Sequence, residues 1–176
     1  KEKLRIVSEI EPAEIEHLKG GGDVLLLGTK PFPTVGPWIQ YPGHASVPSG
    51  SVGAVIYKHP ILTGLPDDGW GDWQFMPLLA YASCVCFDHL RTEFDPILEI
   101  ISNPADPRKQ AAIFEKRIGS GRLLVCSCVI DMANPSCVTL MDGILRYVGS
   151  DEFRPADTFG IEELADLTTP LPPRDP

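Results

Sequence analysis

The chain has 176 residues, 43% hydrophobic and 22% charged, which fits one globular domain with a core of its own. A formal net charge of −9 argues against a nucleic-acid surface, which needs a basic stripe. No apolar run reaches the roughly 18 to 20 residues of a membrane-spanning helix. No signal peptide is visible, so the chain reads as cytosolic or as a piece cut from a longer protein.

In chain order, Leu4 to Ser8 is a short β-like run. Pro12 to Leu18 follows as a helix, with proline in the first turn, where a missing N–H costs little. Gly20, Gly21 and Gly22 stop it, and Asp23 leads into the apolar strand Val24 to Gly28. Lys30 to Gly50 has no period and is rich in proline; a loop of this length is usually functional or packed on a partner. Val52 to Tyr57 is the next strand, and Asp72 to Ala80 reads as a short helix with Asp72 at its N-cap.

Ala82 to Phe87 and Pro96 to Ser102 are further strand candidates. Ala111 to Arg117 and Arg122 to Val129 flank Ile118-Gly119-Ser120-Gly121 and form a hairpin. The second of these is the most continuous apolar run, as a central strand buried on both faces requires. Glu115, Lys116 and Arg117 read as a solvated strand face. A helix begins at Asn134 or Pro135, carries Val138, Met141, Leu145 and Val148 at helical spacing, and stops at Gly149. Residues 1–153 therefore read as the domain and 154–176 as a proline-rich tail or linker.

The five cysteines include two C-x-C pairs, Cys84/Cys86 and Cys126/Cys128. Residues two apart on a strand point in parallel, so neither pair is a natural disulfide, and buried free thiols are expected. A cross-strand disulfide between the pairs stays open if the protein is secreted. His89 alone does not turn either pair into a metal site, and no cofactor motif is read.

The stretch His59 to Gln74, HPILTGLPDDGWGDWQ, concentrates residues that fix backbone direction with two of the three tryptophans and three aspartates. Aromatic faces stack on pyranose rings and carboxylates take hydroxyl groups. Trp38, Tyr41, Asp68 and Trp70 are the candidate carbohydrate-binding residues. His59, Pro60, Gly64, Asp72, Trp73 and Gln74 read as a structural motif: a turn at His59-Pro60, a cap at Asp72 and a core tryptophan at Trp73.

Two segments carry a resemblance. Gly119 to Ser127, followed by a helix ending Leu145-Arg146-Tyr147, is similar to the last hairpin and helix of class I glutamine-amidotransferase-like domains. His59, Pro60, Leu62, Gly64, Pro66, Asp72, Trp73 and Gln74 resemble a motif of the version of that domain found as an accessory module in Bacteroidetes glycoside hydrolases, β-galactosidase-like or family 2. The resemblance covers about residues 11 to 153. Asp67 and Trp70 depart from its pattern, standing where Thr and His are expected.

The resemblance implies an α/β fold, a flavodoxin-like three-layer sandwich with a mostly parallel sheet and a C-terminal antiparallel hairpin. It implies partners in the other domains of a parent glycoside hydrolase, carbohydrate contact or homo-oligomerisation. Location follows from it: periplasmic or extracellular if the resemblance holds, cytoplasmic otherwise. A working glutaminase needs a cysteine on a glycine-flanked elbow and a His-x-Glu. No cysteine here has glycine flanks, and none of His17, His44, His59 and His89 begins His-x-Glu. Catalytic residues are therefore not assigned. The expected function is a non-catalytic accessory domain; the alternative is a stand-alone small hydrolase of sugars or esters.

Overall fold

The fold begins with two parallel strands joined by one short helix: β1 (Leu4–Glu9), α1 (Pro12–Lys19) and β2 (Asp23–Lys30). The computed structural model describes residues 3–35, 39–40, 51–102 and 107–168. α1 starts at Pro12, and the Glu14 carboxylate accepts the Glu11 backbone N–H at 3.2 Å, satisfying a donor left free by the first turn. Gly21, at φ +83°, turns the chain into β2.

After β2 come the short strands β3 (Thr34–Val35), β4 (Ile39–Gln40), β5 (Ser51–Val52) and β6 (Ala54–Ile56). The single-turn helix α2 (Met76–Leu79) precedes β7 (Cys84–Cys86) and β8 (Pro96–Ile100). The hairpin of β9 (Gln110–Ile118) and β10 (Gly121–Cys126) turns at Gly119, φ +60°. Two helices follow, α3 (Pro135–Val148) and α4 (Ile161–Thr168).

The main sheet has eight strands, running β1-β2-β10-β9-β7-β3, with β8 also on β9 and β6 on β8. β10 lies between β2 and β9, and its side chains enter both cores, Leu124 and Cys126 on one face and Leu123 and Val125 on the other. The continuous apolar run of the sequence is thus a central strand.

The expected flavodoxin-like sandwich is corrected. The sheet is mixed, mostly antiparallel and strongly curled into a half-barrel, with few helices. Among the described strands of this sheet, β1/β2 and β2/β10 pair in parallel, whereas β9/β10, β7/β9, β8/β9, β6/β8 and β3/β7 are antiparallel. Parallel neighbours need a long crossover, usually a helix. Between β2 and β9 the described helices are α2 and two three-residue 3-10 turns, Pro60–Leu62 and Trp73–Phe75. Such pieces are too short to carry the chain back across a sheet face, so these strands pair in alternating directions.

Each sheet face has its core. α3, α2 and the Pro60–Leu62 turn cover one, with Leu140, Ile144, Leu78 and Ile61 against Leu25 and Leu124. α1 and α4 cover the other, with Ile15, Leu18 and Leu164 against Val24, Leu26 and Val125. In the stretch expected as a tail, Phe159 and Leu164 are buried and α4 packs on α1.

The strand face expected to be solvated is corrected too. Glu115 is half-buried, and Lys116 is 1% exposed; Arg117 alone of the three is exposed. Lys116 is accommodated because its ammonium donates to Glu93 O at 2.8 Å and to Asp157 Oδ2 at 3.0 Å.

Candidate functional site

The candidate site is built on the free edge of β6. Residues 69–71 lie along that edge: Ile56 N–H donates to Gly69 O at 2.9 Å, Gly71 N–H donates to Ala54 O at 2.8 Å, and Val55 forms an isolated bridge with Trp70. Gly69, at φ +92°, admits the bend that starts this pairing, and a side chain on Gly71 would press on the Ala54 Cβ at 3.0 Å. The Trp70 backbone is therefore held by the sheet while its side chain remains 60% exposed.

Carboxylates surround this tryptophan, and two of them shape the loop. Asp67 Oδ1 accepts Gly69 N–H at 2.9 Å, and Asp72 Oδ1 accepts Trp73 N–H at 2.7 Å, capping the Trp73–Phe75 turn. The Gln74 side-chain amide donates to Pro66 O and ties the end of the loop to its beginning. Among the described residues, the Asp68 carboxylate has no hydrogen-bond partner. Pro66, Asp67, Asp68, Trp70, Asp72 and Gln74 line an open cleft of ≈ 380 Å³. A second cleft of ≈ 450 Å³ adjoins it through Pro66 and Asp67 and is walled by Tyr57, Lys58 and His59.

The structure divides the expected residues differently from the sequence. Trp70 is exposed and lines the same cleft as Asp68. Asp72 is the cap that was expected, and His59 opens a turn with Pro60, its Nδ1 accepting Ile61 N–H at 3.3 Å. Gly64 is exposed beside α3, where a Cβ would meet the Thr139 methyl at 2.7 Å. Trp73 is not a core residue: it is 79% exposed, because the capped turn spends Phe75 on the core and leaves Trp73 outside. Trp38 and Tyr41 lie outside the described residues.

Sequence reasoning missed a buried polar group behind the site. Tyr147 of α3 donates its hydroxyl hydrogen bond to the Glu115 carboxylate, with Oε2 at 2.9 Å and Oε1 at 3.2 Å. His59 Nε2 lies 4.0 Å from the same Oε2. Burial holds the Glu115 carboxyl up to about 7, although the Tyr147 hydrogen bond works against it. Burial also holds the His59 imidazole down to about 4 and raises the Tyr147 phenol. The one sequence signal was the strand period, since Glu115 falls on the side of β9 that faces α3; only the partners decide that a carboxyl sits there.

The cysteines are all free and buried. Cys84, Cys126 and Cys128 lie in the core under α3, Cys137 faces that core from α3 itself, and burial pushes the Cys84 thiol up to about 12. Among the described residues, no group of three or more His, Cys, Asp or Glu is arranged to hold a metal ion. Nor is any helix among them long and apolar enough to cross a membrane.

Residues 5–169 match the model of a domain of unknown function, DUF8487. The chain belongs to this family. Its matched span runs from β1 to the end of α4 and so includes the cleft and the buried group behind it. No curated protein matches the chain.

Proposed function

We propose that this domain is a non-catalytic accessory module of a glycoside hydrolase that contacts carbohydrate through the cleft at Trp70. The observation that carries the reading is an exposed indole on a sheet-anchored backbone, bordered by Asp67, Asp68, Asp72 and the Gln74 amide. An apolar face with a few convergent polar groups suits a sugar ring, which is apolar above and below and polar at its rim. Exposed Trp73 adds a second stacking surface on the same loop. The His59-to-Gln74 motif supports the glycoside hydrolase context independently of the corrected sheet topology. The burial of all five thiols speaks against a stand-alone hydrolase built on a cysteine nucleophile, because none is presented to a substrate.

The test is calorimetric titration of the chain with neutral oligosaccharides, alone and as Trp70→Ala and Trp73→Ala. Binding that weakens roughly tenfold in Trp70→Ala, with the melting temperature unchanged, is the expected result. Binding indifferent to both substitutions, or no binding to any oligosaccharide, defeats the carbohydrate part of the proposal. Glycosidase turnover by the isolated chain defeats its non-catalytic part.

A further inference from the structure

The buried group of His59, Glu115 and Tyr147 has no part in sugar contact, yet it touches the loop that makes that contact. His59 ends one side of it: both His59 and Glu115 have side chains only 15% exposed, and the His59 ring stands edge-on to Tyr147 with centroids 4.7 Å apart. Its other side walls the cleft that shares Pro66 and Asp67 with the Trp70 cleft. Because Nδ1 accepts the Ile61 N–H, the proton of the neutral ring sits on Nε2, aimed toward Glu115.

We propose that His59, Glu115 and Tyr147 form a proton-operated latch: loss of the Glu115 proton draws the His59 N–H onto the carboxylate and tightens the segment His59 to Gln74. A protonated carboxyl offers one good acceptor oxygen, and the Tyr147 hydroxyl takes it; at 4.0 Å the His59 N–H is outside hydrogen-bond range. Ionisation puts negative charge on Oε2, which then attracts the His59 N–H as well as the Tyr147 hydroxyl. The step is a proton released to solvent and one hydrogen bond formed. Burial places the Glu115 change near neutral pH and keeps His59 a neutral donor there. The other charges facing Glu115 are divided: Arg122 of β10 and Lys116 of β9 favour the carboxylate, and Asp95 ahead of β8 opposes it. The latch itself stands on this geometry; its link to ligand affinity rests on the carbohydrate reading.

The experiment follows the His59 ring protons by NMR in the unliganded full chain between about pH 5.5 and 8.5. A single step with a midpoint near 7, absent in Glu115→Gln, is expected. Tyr147→Phe removes a bond that favours the carboxylate, so its midpoint moves to higher pH. Flat His59 signals in the wild type, or the same step in Glu115→Gln, overturn the latch. If Glu115→Gln does not fold, a Tyr147→Phe midpoint that is unchanged or lower overturns it. An oligosaccharide affinity that changes across the same midpoint in the wild type completes the link. No oligosaccharide binding at any pH defeats the carbohydrate reading alone, and the His59 step still decides the latch.

Discussion

Arg122 of β10 and Asp23 of β2 are register partners on parallel strands, and their side chains meet fork to fork: Nε donates to Oδ1 at 2.7 Å and Nη2 to Oδ2 at 2.5 Å. Arg122 also donates through Nη1 to Phe153 O, and its guanidinium covers the Phe153 ring at 4.8 Å. One side chain thus joins the first half of the sheet to the chain beyond α3. Asp23 is 2% exposed, and its other cation, Lys3, stands at 3.8 Å with a side chain 70% exposed. Arg122→Ala should cost about 3 kcal/mol or more in denaturant unfolding, because it strands a buried carboxylate. Asp23→Asn added to it should recover part of the loss. A cost below about 1 kcal/mol would show that Lys3 and water suffice.

Gly143 tests the packing that holds the His59 turn. In an isolated helix Gly→Ala gains about 1 kcal/mol. Here the added Cβ of Gly143→Ala would lie 2.1 Å from the Ile61 carbonyl oxygen, a backbone atom that cannot step aside. Destabilisation of roughly 1 to 3 kcal/mol is expected, with displacement of the Pro60–Leu62 turn. A raised melting temperature in Gly143→Ala would contradict this contact.

Stability against pH follows from two opposed shifts. Glu115 is held at about 7 in the fold against 4.5 without it, so its contribution is complete below about 4.5 and is lost as pH rises to about 7. His59 is held at about 4 against 6.5, so its contribution is complete above about 6.5 and is lost as pH falls to about 4. The two slopes oppose each other over the overlapping range. Glu115→Gln should expose the His59 slope, with stability relative to wild type rising by about 2 kcal/mol between pH 4.5 and 7. A wild-type and variant difference that is constant across that range would refute the Glu115 shift. Chemical denaturation at stepped pH measures it.

The cysteines should be silent in the native state. All five are buried, so none is presented to a disulfide reagent, and burial further holds Cys84 up to about 12. Native protein should react slowly with such a reagent and denatured protein should yield five equivalents. Fast native labelling would place at least one thiol at the surface.

Local chemistry was legible in the residues. The β9–β10 hairpin follows from Gly119 and Gly121 between two apolar runs, and the cap of the Trp73–Phe75 turn follows from Asp72. β10 as a central strand follows from its unbroken apolar run, and the exposure of Trp70 from the glycines around it. Each of these is settled within a few residues of backbone preference and side-chain reach. The direction in which strands pair is not local. It depends on whether the chain returns by a tight turn or a full crossover, and a family resemblance in two segments supplied the wrong answer for the sheet between β2 and β9. Burial of charge is not local either: Lys116 reads as a surface residue until Asp157, 41 positions away, meets its ammonium. Trp73 reads as core until the cap at Asp72 aims it outward. The sequence by itself determined the turns, the caps and the composition of the His59-to-Gln74 loop. Tertiary structure alone decided the curl of the sheet, the burial of Lys116 and the seat of Glu115 behind His59, because each depends on partners distant in the chain.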